Sequence, residues 1–475
     1  MYRKYVAGTA LAAITVAQLM IALDMAVVNV ALPAIRTDLG FAAADLSWVV
    51  HSYALTFGGF LLLGGRAGDL FGRRRLFVLG LAAFALASLA GGLAQQPWQL
   101  IAARAVQGVA AAAVAPATLA MLTILFPDGR ARVRAFGLWS AANGAGGALG
   151  VLLGGILTEY AGWRWVMLIN LPIAAIVLGL SAFGIPADHR AGPRKPLDLP
   201  GSLTATLGAG LLVLAVIRTD RYGWFTPATL VTGAAALLLL AAFVLIERRA
   251  AVPLVRLTML HSRWVAGADV FVALAAAGQF SAFYFVSLYM QQVLGMSAAA
   301  TGLAFVPFSA GVLVGTAFAT RVGVRRSPRT LLIPGALAAA VGLAWFAMMD
   351  SGGSFTTDVL GPSLVTSIGF GLCLAPLAAA ATTGVEPAEA GMASGLMNSA
   401  RQIGGAVGLA ALATVAVQRT GTNATTEALT GGYTTGLAVG AALLVSAAVV
   451  AALVLPRRLT VEPVSTPAPT PVGAE

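Results

Sequence analysis

Cysteine is almost missing from this chain of 475 residues, Cys373 being the single thiol. No disulfide can form within one chain, and no cysteine cluster can hold a metal. Charge is scarce too: Asp, Glu, Lys and Arg make up 10% of the residues, against about 25% in a soluble domain. Beside a hydrophobic share of 59%, that shortage excludes a water-soluble globule. The sequence also lacks a Gly-x-x-x-x-Gly-Lys-Ser/Thr phosphate loop, a zinc-ligand spacing and any workable nucleophile triad. Neither direct drive by ATP nor enzymatic catalysis is therefore expected.

Apolar runs dominate what remains, and crossing a bilayer takes about 20 such residues. The spans read from the sequence are 5–32, 47–63, 76–93, 100–125, 135–157, 166–185, 199–217, 230–246, 265–290, 298–319, 331–349, 360–383, 391–417 and 437–455, fourteen in all. The seventh and eighth lie between the loop 189–195 and the basic run 247–263. Their length and the turn at Gly223 and Trp224 support a hairpin. The first span is too long for a secretory signal and is expected to stay as an anchor. Residues 456–475, rich in Pro, Thr and Val, read as a disordered cytoplasmic tail.

A net charge of +11 would suit a nucleic-acid binder, so the placement of the basic residues decides. With both termini cytoplasmic, five of the 29 Lys and Arg fall on the outer side: Arg36, Arg164, Arg218, Arg221 and Arg419. Arg104 and Arg401 fall within spans, and all the others face inward. This is the positive-inside pattern. The charge reports orientation in a membrane, and the expected partner is the lipid bilayer rather than nucleic acid. Few aromatics, high Ala and Gly and Arg preferred to Lys suggest a bacterial source, so a bacterial inner membrane is the expected location.

An ionisable group at bilayer depth costs several kcal/mol, so each needs a partner or a function. Asp24 lies in LDMAVVNVALP, followed by Asn29 and Pro33. A carboxyl in apolar surroundings is costly to ionise, which suits a reversible proton carrier. The competing reading is a carboxylate permanently paired with an arginine. Arg104 has Gln107 three residues on, on the same helical face, with Gly108 allowing close helix approach. It either tunes a nearby acid or snorkels to the surface. In the fifth span Gly144, Gly146, Gly147, Gly150, Gly154 and Gly155 form a stripe that serves either sliding or static close packing. Asp269 follows Arg263 by six residues. It is either a second cavity carboxylate favouring cationic substrates or an interfacial acid paired with a loop arginine. Gln279, Phe280, Phe283, Tyr284, Tyr289 and Gln291 mix rings and amides as a drug cavity would, or form core. His51 reads as a hydrogen-bonded structural histidine. Asn398, Arg401 and Gln402 share a face by their i, i+3, i+4 spacing.

Between the second and third spans stands GRAGDLFGRRR, residues 65–75. Asp69 and Arg73 are four apart and pair if the turn is helical, while Gly65, Gly68 and Gly72 permit a tight turn. A purely topogenic basic loop is the simpler reading. Residues 320–329, TRVGVRRSPR, echo this stretch and fit a duplicated bundle with a central site.

The 65–75 stretch resembles the signature loop of the major facilitator superfamily, where it latches the two halves on the cytoplasmic side. The resemblance implies a gate at Gly65, Asp69, Gly72 and Arg73. LDMAVVNVALP, Arg-x-x-Gln-Gly in the fourth span, GGALGVLLGG in the fifth and GMASGLMNSARQIGGAVG in the thirteenth together resemble the fourteen-helix drug:proton antiporter branch. That implies an all-α polytopic fold: a six-helix bundle over 1–187, two extra helices over 188–260, a second bundle over 261–455 and the tail 456–475. It also implies a monomer exporting a small-molecule drug or antibiotic. The driving force is protons and no cofactor is needed.

Asp24, Arg104 and Asp269 are the expected proton-coupling residues, and Asn29, Gln107, Gln279, Phe283 and Tyr284 the expected cavity. The fifth span, with Gly146, Gly150, Gly154 and Gly155, is the expected antiporter helix. Asn398, Arg401 and Gln402 match an Asn-x-x-Arg-Gln pattern and are read as a polar contact between halves, with substrate contact as second choice. Two positions depart from the branch: Val151 stands where Pro usually follows Gly150, and Ala26 replaces a common Thr. A metabolite importer and a non-transporting membrane sensor remain as rivals. The importer would need a more polar cavity, and the sensor would tolerate loss of Asp24.

Overall fold

The computed structural model describes residues 2–42, 45–126, 129–185, 198–223, 225–250, 253–323, 327–385, 389–421 and 425–456. Its regular elements are all helical. Fourteen helices among the described residues are long and apolar enough to cross a membrane: α1 (Ala7–Leu39), α2 (Trp48–Gly68), α3 (Arg73–Gly92), α4 (Pro97–Leu125), α5 (Arg134–Tyr160), α6 (Arg164–Gly184), α7 (Leu199–Thr219), α8 (Pro227–Arg249), α9 (Arg263–Gln292), α10 (Ala298–Val322), α11 (Arg329–Phe346), α12 (Phe355–Thr382), α13 (Gly391–Thr420) and α14 (Thr426–Leu453). The all-α polytopic class and the span count agree with the sequence. The tail 457–475 lies outside the described residues.

Two helix ends differ from expectation for physical reasons. α1 continues through Pro33 to Leu39, although an interior proline removes a backbone hydrogen bond. Its last turn is tied to the start of α6, where Asp38 accepts from Trp163 Nε1 at 3.0 Å and Arg164 Nη1 at 2.5 Å. α14 begins at Thr426, well before residue 437. Thr425 caps it by accepting from Ala428 N at 3.2 Å, and its Thr- and Gly-rich first turns are packing surface. A Cβ on Gly432 would lie 2.6 Å from Ala416 O of α13. Small polar residues that look like a loop to a hydropathy reading are here a helix–helix contact.

The 65–75 stretch also needs correction. The helix containing α2 runs unbroken to Phe71, so Gly65 and Gly68 are helical and do not make the turn. Gly72 alone, at φ 99°, reverses the chain, and Arg73 already opens the next helix. Asp69 and Arg73 thus lie on two helices, not on one helical face. The side chain of Asp69 lies outside the described residues.

α1 packs on α5 and α6, and α4 on α2 and α3. α9 packs on α13 and α14, and α12 on α10 and α11. α7 and α8 pair with each other, while α7 also rests on α2 and α13. An even number of spans among the described residues puts the start of α1 and the end of α14 on one face of the bundle. At the opposite, far face, α1 and α5 close against α9 and α10. Ser287 Oγ donates to Asn29 O at 3.2 Å, Gln291 Nε2 to Val30 O at 3.0 Å, and Ala299 N to Glu159 Oε2 at 2.8 Å. One continuous core runs through this closure, joining Val27 and Ile35 of α1 to Tyr289 of α9 and Phe305 of α10.

The glycine stripe of α5 divides between two partners. A Cβ on Gly146, Gly150 or Gly154 would lie 2.7, 2.6 or 2.5 Å from a carbonyl oxygen of α1, those of Leu19, Leu23 and Val27. On Gly155 it would lie 2.2 Å from Ala298 O of α10. Close approach of backbones is what these positions require. Gly144 and Gly147 have nothing within 4 Å.

Candidate functional site

Asp24 projects from the middle of α1 into the first six helices, with no exposed surface. Arg104 Nη1 of α4 donates to its Oδ2 at 2.6 Å. Its Oδ1 accepts from Asn170 Nδ2 of α6 at 2.7 Å and from Gln107 Nε2 at 3.3 Å. Ser88 of α3 accepts from Gln107 and Asn170 at 3.1 and 2.9 Å and donates to Met167 O at 2.6 Å. Arg104 is itself 1% exposed, so it does not snorkel. It also donates to Gln107 Oε1 at 3.0 Å and through Nε to Val49 O at 3.2 Å, and its guanidinium lies 4.4 Å over the Tyr53 ring.

The whole arrangement is complementary to a charged carboxylate. Buried ions repay their desolvation only when extra hydrogen bonds satisfy their remaining valences, and here α1, α2, α3, α4 and α6 all contribute. The paired reading of Asp24 therefore describes this conformation. Sequence reasoning missed Ser88, Asn170 and Tyr53. Asn170, a lone amide in MLINLP, was open to the argument applied to Asp24.

A cavity opens beside this network, walled by α1, α2, α4, α5, α9 and α13. Asn29, Gln279 and Phe283 line it as expected positions, joined by Phe280, Arg104 and Arg401. Asp24 sits one layer behind the wall, and Arg104 belongs to both the wall and the buried pair.

Gln107 and Tyr284 do not reach the cavity. Gln107 is fully buried and spends its amide on Asp24 and Ser88. Tyr284, one residue and about 100° of helix beyond Phe283, is 4% exposed and packs edge-on against Phe285 at 5.4 Å. Asp269 is also absent from the lining. Nor is it paired with the loop arginine, since Arg263 Nη2 donates to Leu453 O at 2.8 Å. Both Asp269 carboxylate oxygens are buried without a hydrogen-bond partner among the described residues. His51 is not the hydrogen-bonded histidine expected: it is buried against Trp48, ring centroids 5.9 Å apart, and neither ring nitrogen has a hydrogen-bond partner among the described residues.

The α13 triplet separates by role. Asn398 Nδ2 returns to Ser394 O of its own helix at 3.0 Å. Gln402 Nε2 crosses to Met25 Sδ of α1 at 3.9 Å, and a Cβ on Gly58 of α2 would lie 2.6 Å from Gln402 Cβ. Arg401 faces the cavity and donates through Nη2 to Gln279 Oε1 at 3.3 Å. No carboxylate pairs with Arg401 among the described residues. Within the 65–75 stretch, Arg66 Nη1 donates to Pro253 O at 2.9 Å.

A model of the Major Facilitator Superfamily matches residues 14–409. The chain is 46% identical over 424 residues to the cephamycin export protein CmcT of Amycolatopsis lactamdurans, covering 86% of this chain and 85% of that protein. It is 42% identical over 413 residues to the puromycin resistance protein pur8 of Streptomyces alboniger, covering 86% and 82%. Among solved structures, a bacterial homologue of the human lysosomal transporter Spinster, in an inward-facing and occupied conformation, superposes with a TM-score of 0.68. At 16% identity over 95% of this chain and 97% of that one, the likeness is one of fold.

Proposed function

The chain belongs to the major facilitator superfamily of secondary transporters, and from that premise we propose that it exports amphipathic antibiotics or drugs in exchange for protons. The export proteins and resistance proteins it resembles support efflux as the direction. The observation that carries the proton coupling is the Asp24–Arg104 pair, buried one layer behind the cavity wall with Arg104 shared between the two. A charge at that depth can be lost and regained only by moving a proton, and its partner is in a position to report the change to bound substrate.

In the cycle, substrate enters from the terminus-bearing side, taken as cytoplasmic, while Asp24 is ionised and holds Arg104. The halves 1–187 and 261–455 rock about the cavity, with 188–260 travelling beside them. The far-face closure of α1 and α5 on α9 and α10 opens and releases the substrate. A proton taken up on Asp24 from outside releases Arg104, and the altered wall disfavours rebinding. The empty carrier returns and gives the proton up to the cytoplasm. The protein sits in the bacterial inner membrane with both termini inside and works as a monomer. The 65–75 stretch closes the cytoplasmic side, now pivoting on Gly72.

Expression in a bacterial host lacking its own efflux pumps tests the reading. Cells should accumulate less of a fluorescent amphipathic drug, and a protonophore should restore accumulation. Unchanged accumulation across a broad drug panel would refute export. Efflux that survives collapse of the proton gradient would refute the coupling.

A further inference from the structure

The charges on the cavity surface are unequal. Its lining contains two guanidiniums, Arg104 and Arg401, and no Asp, Glu or Lys. Arg104 is compensated from behind by Asp24 at 2.6 Å. Among the described residues Arg401 has only the neutral Gln279 Oε1, at 3.3 Å. A guanidinium stays charged whatever its surroundings, so with Asp24 ionised the wall carries one uncompensated positive charge. Asp269 does not reach the lining and so does not balance it.

Two amides of the lining keep a donor, while Asn29, whose nitrogen donates to Met25 O and Ala26 O of its own helix, keeps its oxygen. Gln279 spends its oxygen on Arg401, which leaves its amide nitrogen for something else. Asn143, across the cavity on α5, accepts from Gln18 Nε2 at 2.8 Å through its oxygen, and its nitrogen has no partner among the described residues. Flanking Arg401 and Gln279 are the apolar rings of Phe280 and Phe283. The Phe283 ring packs on those of Phe305 and Phe308, with centroids 5.4 and 4.9 Å away, which holds it in place in the cavity wall.

From this we infer that the cavity takes amphipathic organic anions, with a carboxylate on Arg401 and the amide donor of Gln279 and an aromatic body against Phe280 and Phe283. The planar fork of an arginine matches a carboxylate in two hydrogen bonds, and a lipophilic cation would meet the uncompensated charge instead. The inference rests on the export reading and narrows its substrate. It also sets the electrical character of the cycle: one anion leaving for one proton entering moves two positive charges inward. A neutral substrate would move one and a monovalent cation none.

Three probes of matched shape test this on the full-length protein in nanodiscs: biphenyl-4-carboxylate, biphenyl-4-carboxamide and biphenyl-4-ylmethylammonium, by titration calorimetry. The carboxylate should bind about 10- to 100-fold more tightly than the ammonium, the range for a charge-assisted hydrogen bond. Arg401→Gln should abolish that preference and Arg401→Lys keep part of it. Equal or reversed preference in the wild type overturns the inference, as does a preference undiminished in Arg401→Gln. The wild-type comparison decides even if the glutamine variant does not fold.

Proteoliposomes separate this inference from the export reading. Carboxylate efflux driven by a potassium diffusion potential, and increased by an added pH gradient, supports both. Proton-coupled flux of the ammonium alone keeps export and overturns the anion inference. Arg401-dependent binding of the carboxylate with no flux of any probe keeps the anion site and refutes export.

Discussion

Two arginines line the cavity, Arg104 and Arg401, and the two halves hold them in opposite ways. Arg104 is 1% exposed, salt-bridged to Asp24 and hydrogen-bonded to Gln107 and Val49 O. Arg401 opens onto the cavity with one amide oxygen for company. The first is part of a closed network in which each charge is answered within the bundle. The second has no opposite charge beside it among the described residues, and in the proposed reading it meets the substrate. In the proposed cycle the N-terminal half keeps or exchanges the proton, and the C-terminal half meets the ligand.

The sharpest way to break this comparison is to remove the answered charge. Arg104→Gln leaves a buried carboxylate unpaired, which costs about 3–5 kcal/mol. The expected outcome is a large fall in thermal stability in detergent, partly recovered by adding Asp24→Asn. A mild Arg104→Gln phenotype would mean the network is not closed. Next in size, Gly150→Ala should cost about 1–3 kcal/mol as overpacking, because its Cβ would lie 2.6 Å from Leu23 O and displace α1, which carries Asp24. Gly147→Ala on the same helix, with nothing within 4 Å, is the control and should stay within about 0.5 kcal/mol.

Asn170→Ala removes the shorter of the two donors to Asp24 Oδ1. The loss should be about 1–3 kcal/mol, and it should appear as a shifted pH profile of transport as well as in stability. Smallest of all, Arg401→Gln should cost about 1 kcal/mol or less in stability, since it orphans no opposite charge. Its effect belongs in ligand binding. A destabilisation by Arg401→Gln as large as that by Arg104→Gln would erase the difference between the halves.

Much of this architecture was legible in the sequence, because a bilayer imposes length and apolarity on every span. The failures cluster where other forces set the structure. The start of α14 was hidden because its Thr and Gly residues serve packing against α13. α1 outran Pro33 because Trp163 and Arg164 secure Asp38 from another helix. At the site, Asp24 and Arg104 stood out as lone charges in apolar runs, but their pairing joins residues 80 apart and no local spacing encodes it. Periodicity put Gln107 on the face of Arg104 correctly and still did not say that this amide turns to the carboxylate instead of the cavity. Asp269 shows the limit most plainly: a buried acid is easy to find in sequence, and the surface it faces is not.

Proton flux in everted membrane vesicles, comparing wild type with Asp24→Asn, tests the central claim most directly. With a pH gradient established and a panel of lipophilic anions, neutral antibiotics and cations added in turn, substrate should collapse the gradient in the wild type. In Asp24→Asn it should not. Equal substrate-triggered proton movement in the two proteins would contradict the account and remove Asp24 from the proton path.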